Sequence, residues 1–224
     1  MTYKTKFHFI DNKSLKTTIL IPGWATDYRV LNTEGIKTNL LLIDHIYPNQ
    51  INKDLKEKIK ELQGQDFSLI GFSLGGFIAI DFANKYPDKF RSVTVIGIRE
   101  KYSALEIQTV KNFINRSKKG FLTKFYQNCF YDKNKFNKFK DILLDDYINK
   151  FSLDYLIDTL DYLERQQITA KKLTTIKNIN IFHGQEDQIA PLKEIKSLAD
   201  PKTLTELKNE GHILSLEIGR LAFK

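Results

Sequence analysis

"LIGFSLGGFIAIDFANKYPDKF" (69–90) sets Ser73 between Gly71 and Gly75, with Gly76 beside it, after one apolar run and before another. The first run is short and has the character of a buried strand. The second has helical spacing and ends near Pro87. A chain that turns from strand into helix within a residue or two crowds its own backbone. Glycines two places before and two places after the serine relieve that crowding. The hydroxyl of Ser73 then stands at the C-terminal end of a strand and at a helix N-terminus, where developing negative charge is favoured. Such a turn also arises by chance, so its meaning depends on partners elsewhere in the chain.

Strand-like runs recur outward from this point: 3–10, 17–24, 39–47, 67–73, 91–98, 179–184 and 203–212. Several are continuously apolar, the pattern of strands covered on both faces. Helical patterns lie between them. "NKDLKEKIKELQG" (52–64) aligns Leu55, Ile59 and Leu62 and stops at Gly64, and "PLKEIKSLAD" (191–200) opens with proline at a first helical position. Strands alternating with helices predict an α/β fold with a mostly parallel central sheet and helices on both faces. Between about 99 and 173 the strand signal stops. Four helical stretches fill the interval, and the last places Leu153, Leu156, Ile157, Leu160 and Leu163 on one stripe behind Ser152 as N-cap. The expected organisation is a core of 1–98 and 174–224 with a helical lid, 99–173, inserted between two strands.

The partners that Ser73 needs follow in order. "IFHGQEDQIAP" (181–191) is a strand and a loop offering Asp187, and "NEGHILSLE" (209–217) offers His212 at a strand end. Serine, acid and histidine in that chain order can form a charge-assisted triad that activates the hydroxyl. Each has a plainer alternative: Asp187 as the cap of the next helix, His212 as a surface loop residue, and Glu186 as a competing acid.

With these residues the chain resembles the α/β-hydrolase superfamily over nearly its whole length. "PGWATD" (22–27) matches the segment after the early strand, with Pro22 where that superfamily usually has histidine. The resemblance implies Ser73 as nucleophile, His212 as base and Asp187 as its orienting acid. It also implies the backbone N–H groups of Trp24 and Leu74 as an oxyanion hole. Serine at 73, not aspartate, argues against haloalkane dehalogenation. "GWATD" (23–27), "GFSLGGFIA" (71–79), "HGQEDQIAP" (183–191) and the helix "SLDYLIDTLDYLERQ" (152–166) are similar to the pimeloyl-acyl-carrier-protein methyl ester esterases of biotin synthesis. That likeness implies a cytoplasmic serine carboxylesterase needing no metal or cofactor. Its substrate would be a small acyl ester carried on an acidic acyl carrier protein. General carboxylesterases, thioesterases and a menaquinone-pathway lyase share the same triad, and a non-hydrolytic ligand-binding member of the fold is the alternative from another class.

Charge adds a location. The chain of 224 residues carries a formal net charge of +8. Residues 101–140 hold ten Lys/Arg against two acids, so the whole excess lies in the expected lid. Arg116, Lys118, Lys119 and Lys124, around "NRSKKGFLTKF" (115–125), are candidate contacts for an acidic carrier. The alternative is a solvated lysine face that serves solubility. No reading motif or aromatic platform accompanies the basic run, so nucleic acid is not expected. Phe113, Phe121, Phe125 and Tyr126 fall at helical spacing, as the inner face of the lid would. One cysteine, Cys129, excludes an internal disulfide framework and a multi-cysteine metal site, and reads as a small buried hydrophobe. No signal peptide or membrane span is expected from the N-terminus or the hydropathy, and a monomer is expected.

Overall fold

The computed structural model describes residues 4–62 and 64–214. Residues 1–3, 63 and 215–224 of the expected core lie outside the described residues. Seven strands form one sheet among the described residues: β1 (Lys6–Ile10), β2 (Lys16–Ile21), β3 (Asn39–His45), β4 (Asp66–Phe72), β5 (Phe90–Ile96), β6 (Ile179–Gly184) and β7 (Leu204–Leu207). Their spatial order is β1-β3-β2-β4-β5-β6-β7. Only the edge pairing of β1 with β3 is antiparallel.

The apolar runs divide by alternation between the two faces of the sheet. Ile19, Ile21, Leu41 and Ile43 pack beneath α1 (Ile51–Glu61) and α2 (Leu74–Lys85), with Ile195 of α9 (Leu192–Lys196) in the same core. Leu20, Leu40, Leu42, Ile70 and Phe72 point the other way. There they are covered by Val30, Leu31 and Ile36, by Cys129, and by Ile213 and Leu214. Removing both faces from water is what lets these strands be aliphatic throughout, and each fully buried Leu or Ile contributes about 1.5–3 kcal/mol.

Between β5 and β6 the chain runs through α3 (Ala104–Arg116), α4 (Lys118–Cys129), α5 (Lys133–Phe139), one π turn (Lys140–Leu144), α6 (Asp145–Lys150), α7 (Leu153–Glu164) and α8 (Ala170–Thr174). Serines open three of these helices. Ser103 forms a capping box with Glu106, while Ser117 and Ser152 accept hydrogen bonds from the N–H groups of Gly120 and Tyr155. A single antiparallel bridge, Lys101 with Gln167, and a 2.8 Å hydrogen bond from Ile168 N–H to Glu100 C=O close the neck of the insertion.

Three details differ from the sequence reading. β7 stops at Leu207, short of the expected 203–212, because Asn209 adopts a left-handed φ of 57° and turns the chain, leaving His212 in a loop. Pro191 is the N-cap of α9, one place before the first helical residue. The helices α5 and α8 are additional, since five or seven residues with one or two buried side chains carry too little periodicity to read.

Candidate active site

Ser73 follows the last residue of β4 and caps α2 with φ 52° and ψ −114°, a conformation that non-glycine residues seldom adopt. The surroundings hold it there. Ser73 N–H donates to Ile96 C=O at 2.9 Å, and its own C=O accepts from Gly76 N–H at 2.8 Å. Any larger residue at the flanking glycines would collide with backbone. A Cβ on Gly71 would meet Gly75 O at 2.4 Å, and one on Gly75 would meet Ile21 O at 2.2 Å. The spacing of glycines around the serine therefore reflects contact between β4, α2 and the end of β2.

His212 and Asp187 meet beside Phe72, the residue before Ser73. His212 Nδ1 and Asp187 Oδ2 lie 2.7 Å apart, with both side chains buried. The other oxygen, Asp187 Oδ1, accepts from the N–H groups of Ile189 and Ala190, each at 2.8 Å. With Nδ1–H donating to the carboxylate, Nε2 of His212 is left free to take a proton. Burial acts to raise the Asp187 pKa, but the adjacent His212 and the hydrogen bonds it accepts prevail and hold the carboxyl below its usual range. Glu186 is exposed and lies outside this pair. Phe72, immediately before Ser73, packs its ring 5.0 Å from that of His212.

A second histidine stands behind the first pair. His183, wholly buried at the end of β6, has Nε2 2.6 Å from Ala190 C=O and 3.4 Å from Asp187 Oδ2. Desolvation lowers its pKa and keeps it neutral. It braces the loop that presents Asp187.

The turn after β2 reaches the serine from the other side. A Cβ on Gly23 would lie 3.1 Å from Ser73 Cβ, so Trp24 follows at the edge of the Ser73 turn. Leu74 is the first residue of α2, and the N–H of such a residue has no acceptor within its helix. The N–H of Trp24 makes no backbone hydrogen bond among the described residues.

Ser73 opens into a cleft of about 660 Å³ beneath the lid. One wall is apolar, formed by Trp24, Val110, Phe121, Phe125, Leu160 and Leu163, while Arg99, Tyr102, Glu106, Lys193 and Glu194 form the polar end. Of the four basic lid residues singled out from the sequence, Lys124 alone lines this cleft. Lys118 donates to Phe151 C=O at 2.9 Å, Lys119 lies 4.0 Å from Asp145, and Arg116 is exposed at the end of α3. A depression of about 710 Å³ at the opposite ends of β4 and β5 contains none of these site residues. Among the described residues no group of His, Cys, Asp and Glu side chains could hold a metal, and no helix is long and apolar enough to cross a membrane.

The sequence reading did not single out Arg99, Tyr102 or His183 and gave Asp27 no role. Asp27 lies within the quoted "PGWATD", and His183 within "HGQEDQIAP". Tyr102 and Arg99 have no motif and come to the cleft only because β5 ends beside Ser73.

The architecture is the α/β-hydrolase fold. The family described as alpha/beta hydrolase fold matches residues 44–136. An α/β hydrolase from a Medee basin deep-sea metagenome library superposes with a TM-score of 0.73 at 20% identity, over 99% of this chain and 93% of the other. An esterase from Exiguobacterium antarcticum gives 0.75 at 16%, covering 97% and 92%. A bromoperoxidase from Bacillus anthracis gives 0.79 at 18%, covering 96% and 90%. No curated protein matches the sequence.

Proposed function

We propose that the protein is a serine ester hydrolase. The observation that carries this reading is the strained Ser73 turn facing a cleft, backed by the 2.7 Å His212–Asp187 pair. Ser73 Oγ attacks the ester carbonyl as His212 Nε2 takes its proton. Asp187 holds the imidazole in the required tautomer and stabilises its charged form. The amides of Trp24 and Leu74 receive the oxyanion. His212 protonates the departing alcohol, and water then repeats the sequence on the acyl-enzyme. The likeness to a solved esterase agrees with this chemistry, although at 16% identity it speaks for the fold alone.

For the substrate we propose a methyl ester of an acyl chain borne by an acidic carrier protein, the pimeloyl carrier of biotin synthesis in particular. The support is the resemblance of the sequence motifs, the apolar cleft wall suited to an aliphatic chain, and the basic excess in the lid. Turnover of short p-nitrophenyl esters tests the hydrolase reading. Restoration of biotin-independent growth to an esterase-deficient strain tests the carrier reading. A protein that turns over neither ester class would be a binding member of the fold.

A further inference from the structure

We propose, on the reading of Ser73 as the nucleophile toward an acyl ester, that the acyl chain leaves the cleft along a row of rings ending at Phe113, so that its far end stays in water. The row begins at the indole of Trp24. Phe125 meets that indole edge-on with centroids 5.0 Å apart, Phe121 stacks 6.3 Å from Phe125, and Phe113 stacks 6.4 Å from Phe121. Trp24, Phe125 and Phe121 line one cleft with Ser73. Phe113 lies beyond that lining and is 51% exposed, although its helical spacing predicts a place on the inner face of the lid. Rings in contact thus lead from the serine to solvent.

Two helices build the row, and each keeps a separate apolar face for it. α4 buries Leu122, Tyr126 and Cys129, and turns Phe121 and Phe125, one helical turn apart, toward the cleft. α3 buries Ile107 and Ile114, and carries Leu105, Thr109 and Phe113 at four-residue intervals on the opposite face. Leu105 and Thr109 line the cleft, and Leu105 is 78% exposed, so the mouth opens along this stripe. The Thr109 hydroxyl donates back to Leu105 C=O at 2.7 Å and asks nothing of a ligand. A single exposed apolar side chain is ordinary, but these continue the wall of a cleft that contains Ser73.

The rest of the cleft sets the direction of the chain. At the polar end Arg99 is held by two 2.9 Å hydrogen bonds to Glu194 and a 3.0 Å contact with Glu106. An aliphatic chain laid there would displace water from charged groups and give them nothing in exchange. On the aromatic row, each methylene withdrawn from water is worth up to about fourfold in affinity. A chain too long for the enclosed part continues over Phe113, where one side remains in solvent. A charged terminus at that point keeps its hydration. In a closed pocket the same charge would be desolvated, at a cost of about a hundredfold or more.

The test is hydrolysis of p-nitrophenyl acetate and dodecanoate, and of the mono-p-nitrophenyl ester of dodecanedioic acid, each below its aggregation concentration. The proteins are wild type, Phe113→Ala and Phe113→Leu. For wild type, kcat/KM should be higher for dodecanoate than for acetate, and the ester with a terminal carboxylate should fall within about threefold of dodecanoate. Phe113→Ala should lower the dodecanoate-to-acetate ratio of kcat/KM about fivefold, and Phe113→Leu should restore most of it. Each ratio is taken on one preparation, so a misfolded fraction cancels. An unchanged ratio in Phe113→Ala, a wild type that prefers acetate, or a terminal carboxylate that slows turnover about a hundredfold would overturn the exit over Phe113 and leave the hydrolase reading in place. A wild type that turns over no member of the series would overturn the hydrolase reading and this inference with it.

Discussion

At the scale of single residues, the proposed hydrolase reading makes Ser73 mainly a chemical group and Asp187 both a chemical and a structural one. Ser73→Ala removes one hydroxyl from a turn held by glycine contacts and backbone hydrogen bonds. Ester hydrolysis should fall by about three orders of magnitude or more with little change in melting temperature. Retention of a tenth of the activity would remove Ser73 from the chemistry. Asp187→Asn should cost about 10⁴ in kcat because the histidine is no longer held in the useful tautomer, whereas the exposed Glu186→Gln should change kcat by about twofold or less. Reversed effects would move the acid by one position. Asp187 also links stability to pH. Its pKa is depressed in the folded protein, so its contribution is complete above the ordinary carboxylate range and is lost as pH falls through the folded value. Chemical denaturation from pH 6 downward should therefore show a steeper loss below about pH 4 for wild type than for Asp187→Asn.

Among elements, the turn at 24–27 joins the core to the lid. Asp27 is wholly buried, accepting from the Arg29 guanidinium, from Tyr147 Oη at 2.8 Å and from Lys150 Nζ, while Lys150 also pairs with Asp44 on β3. Trp24 Nε1 donates to Leu156 C=O of α7 at 3.0 Å, and Tyr126 Oη of α4 donates to Ala25 C=O. One short turn thus carries an expected oxyanion donor and three lid helices. Burial opposes the charge on Asp27, but its partners keep its pKa below the usual range. Asp27→Ala leaves Arg29 and Lys150 without their shared partner, a loss of about 3–5 kcal/mol for a buried ion pair. At roughly 2–4 °C per kcal/mol for a chain of this size, the melting temperature should drop by about 10 °C. Hydrogen exchange in α6 and α7 should rise more than in the sheet. A melting temperature within about 2 °C of wild type would show that the lid is held elsewhere.

For the whole molecule the open matter is what the +8 excess receives. Lys118 is occupied with Phe151 C=O, so its loss would loosen α4 from the end of α6. A cleaner test substitutes Arg116, Lys119 and Lys124 with alanine and leaves Lys118 in place. If the lid receives an acidic carrier, KM for the carrier-bound ester should rise several-fold, and added salt should have the same effect on wild type. A small free ester should be nearly indifferent to both. Equal, small losses on the two substrates would favour a lysine face that serves solubility.

Much of this architecture is legible in the one-dimensional chain because its causes are local. Continuous aliphatic runs mark strands buried on two faces, the spacing of Gly71, Ser73 and Gly75 marks a crowded turn, and Ser152 marks a helix start. The order of Ser73, Asp187 and His212 is legible for the same reason, since each follows a recognisable strand. The resemblance of the motifs already favours Asp187 over Glu186 as the partner of His212, whereas tertiary structure alone decides that Lys118 is drawn onto a carbonyl, that Asp27 ties the lid to the core, and that Tyr102 and Arg99 enter the cleft. Those contacts join residues distant in the chain through the order of strands and the docking of helices. No pattern of neighbours records a partnership that exists only once β2, β4 and β5 lie side by side.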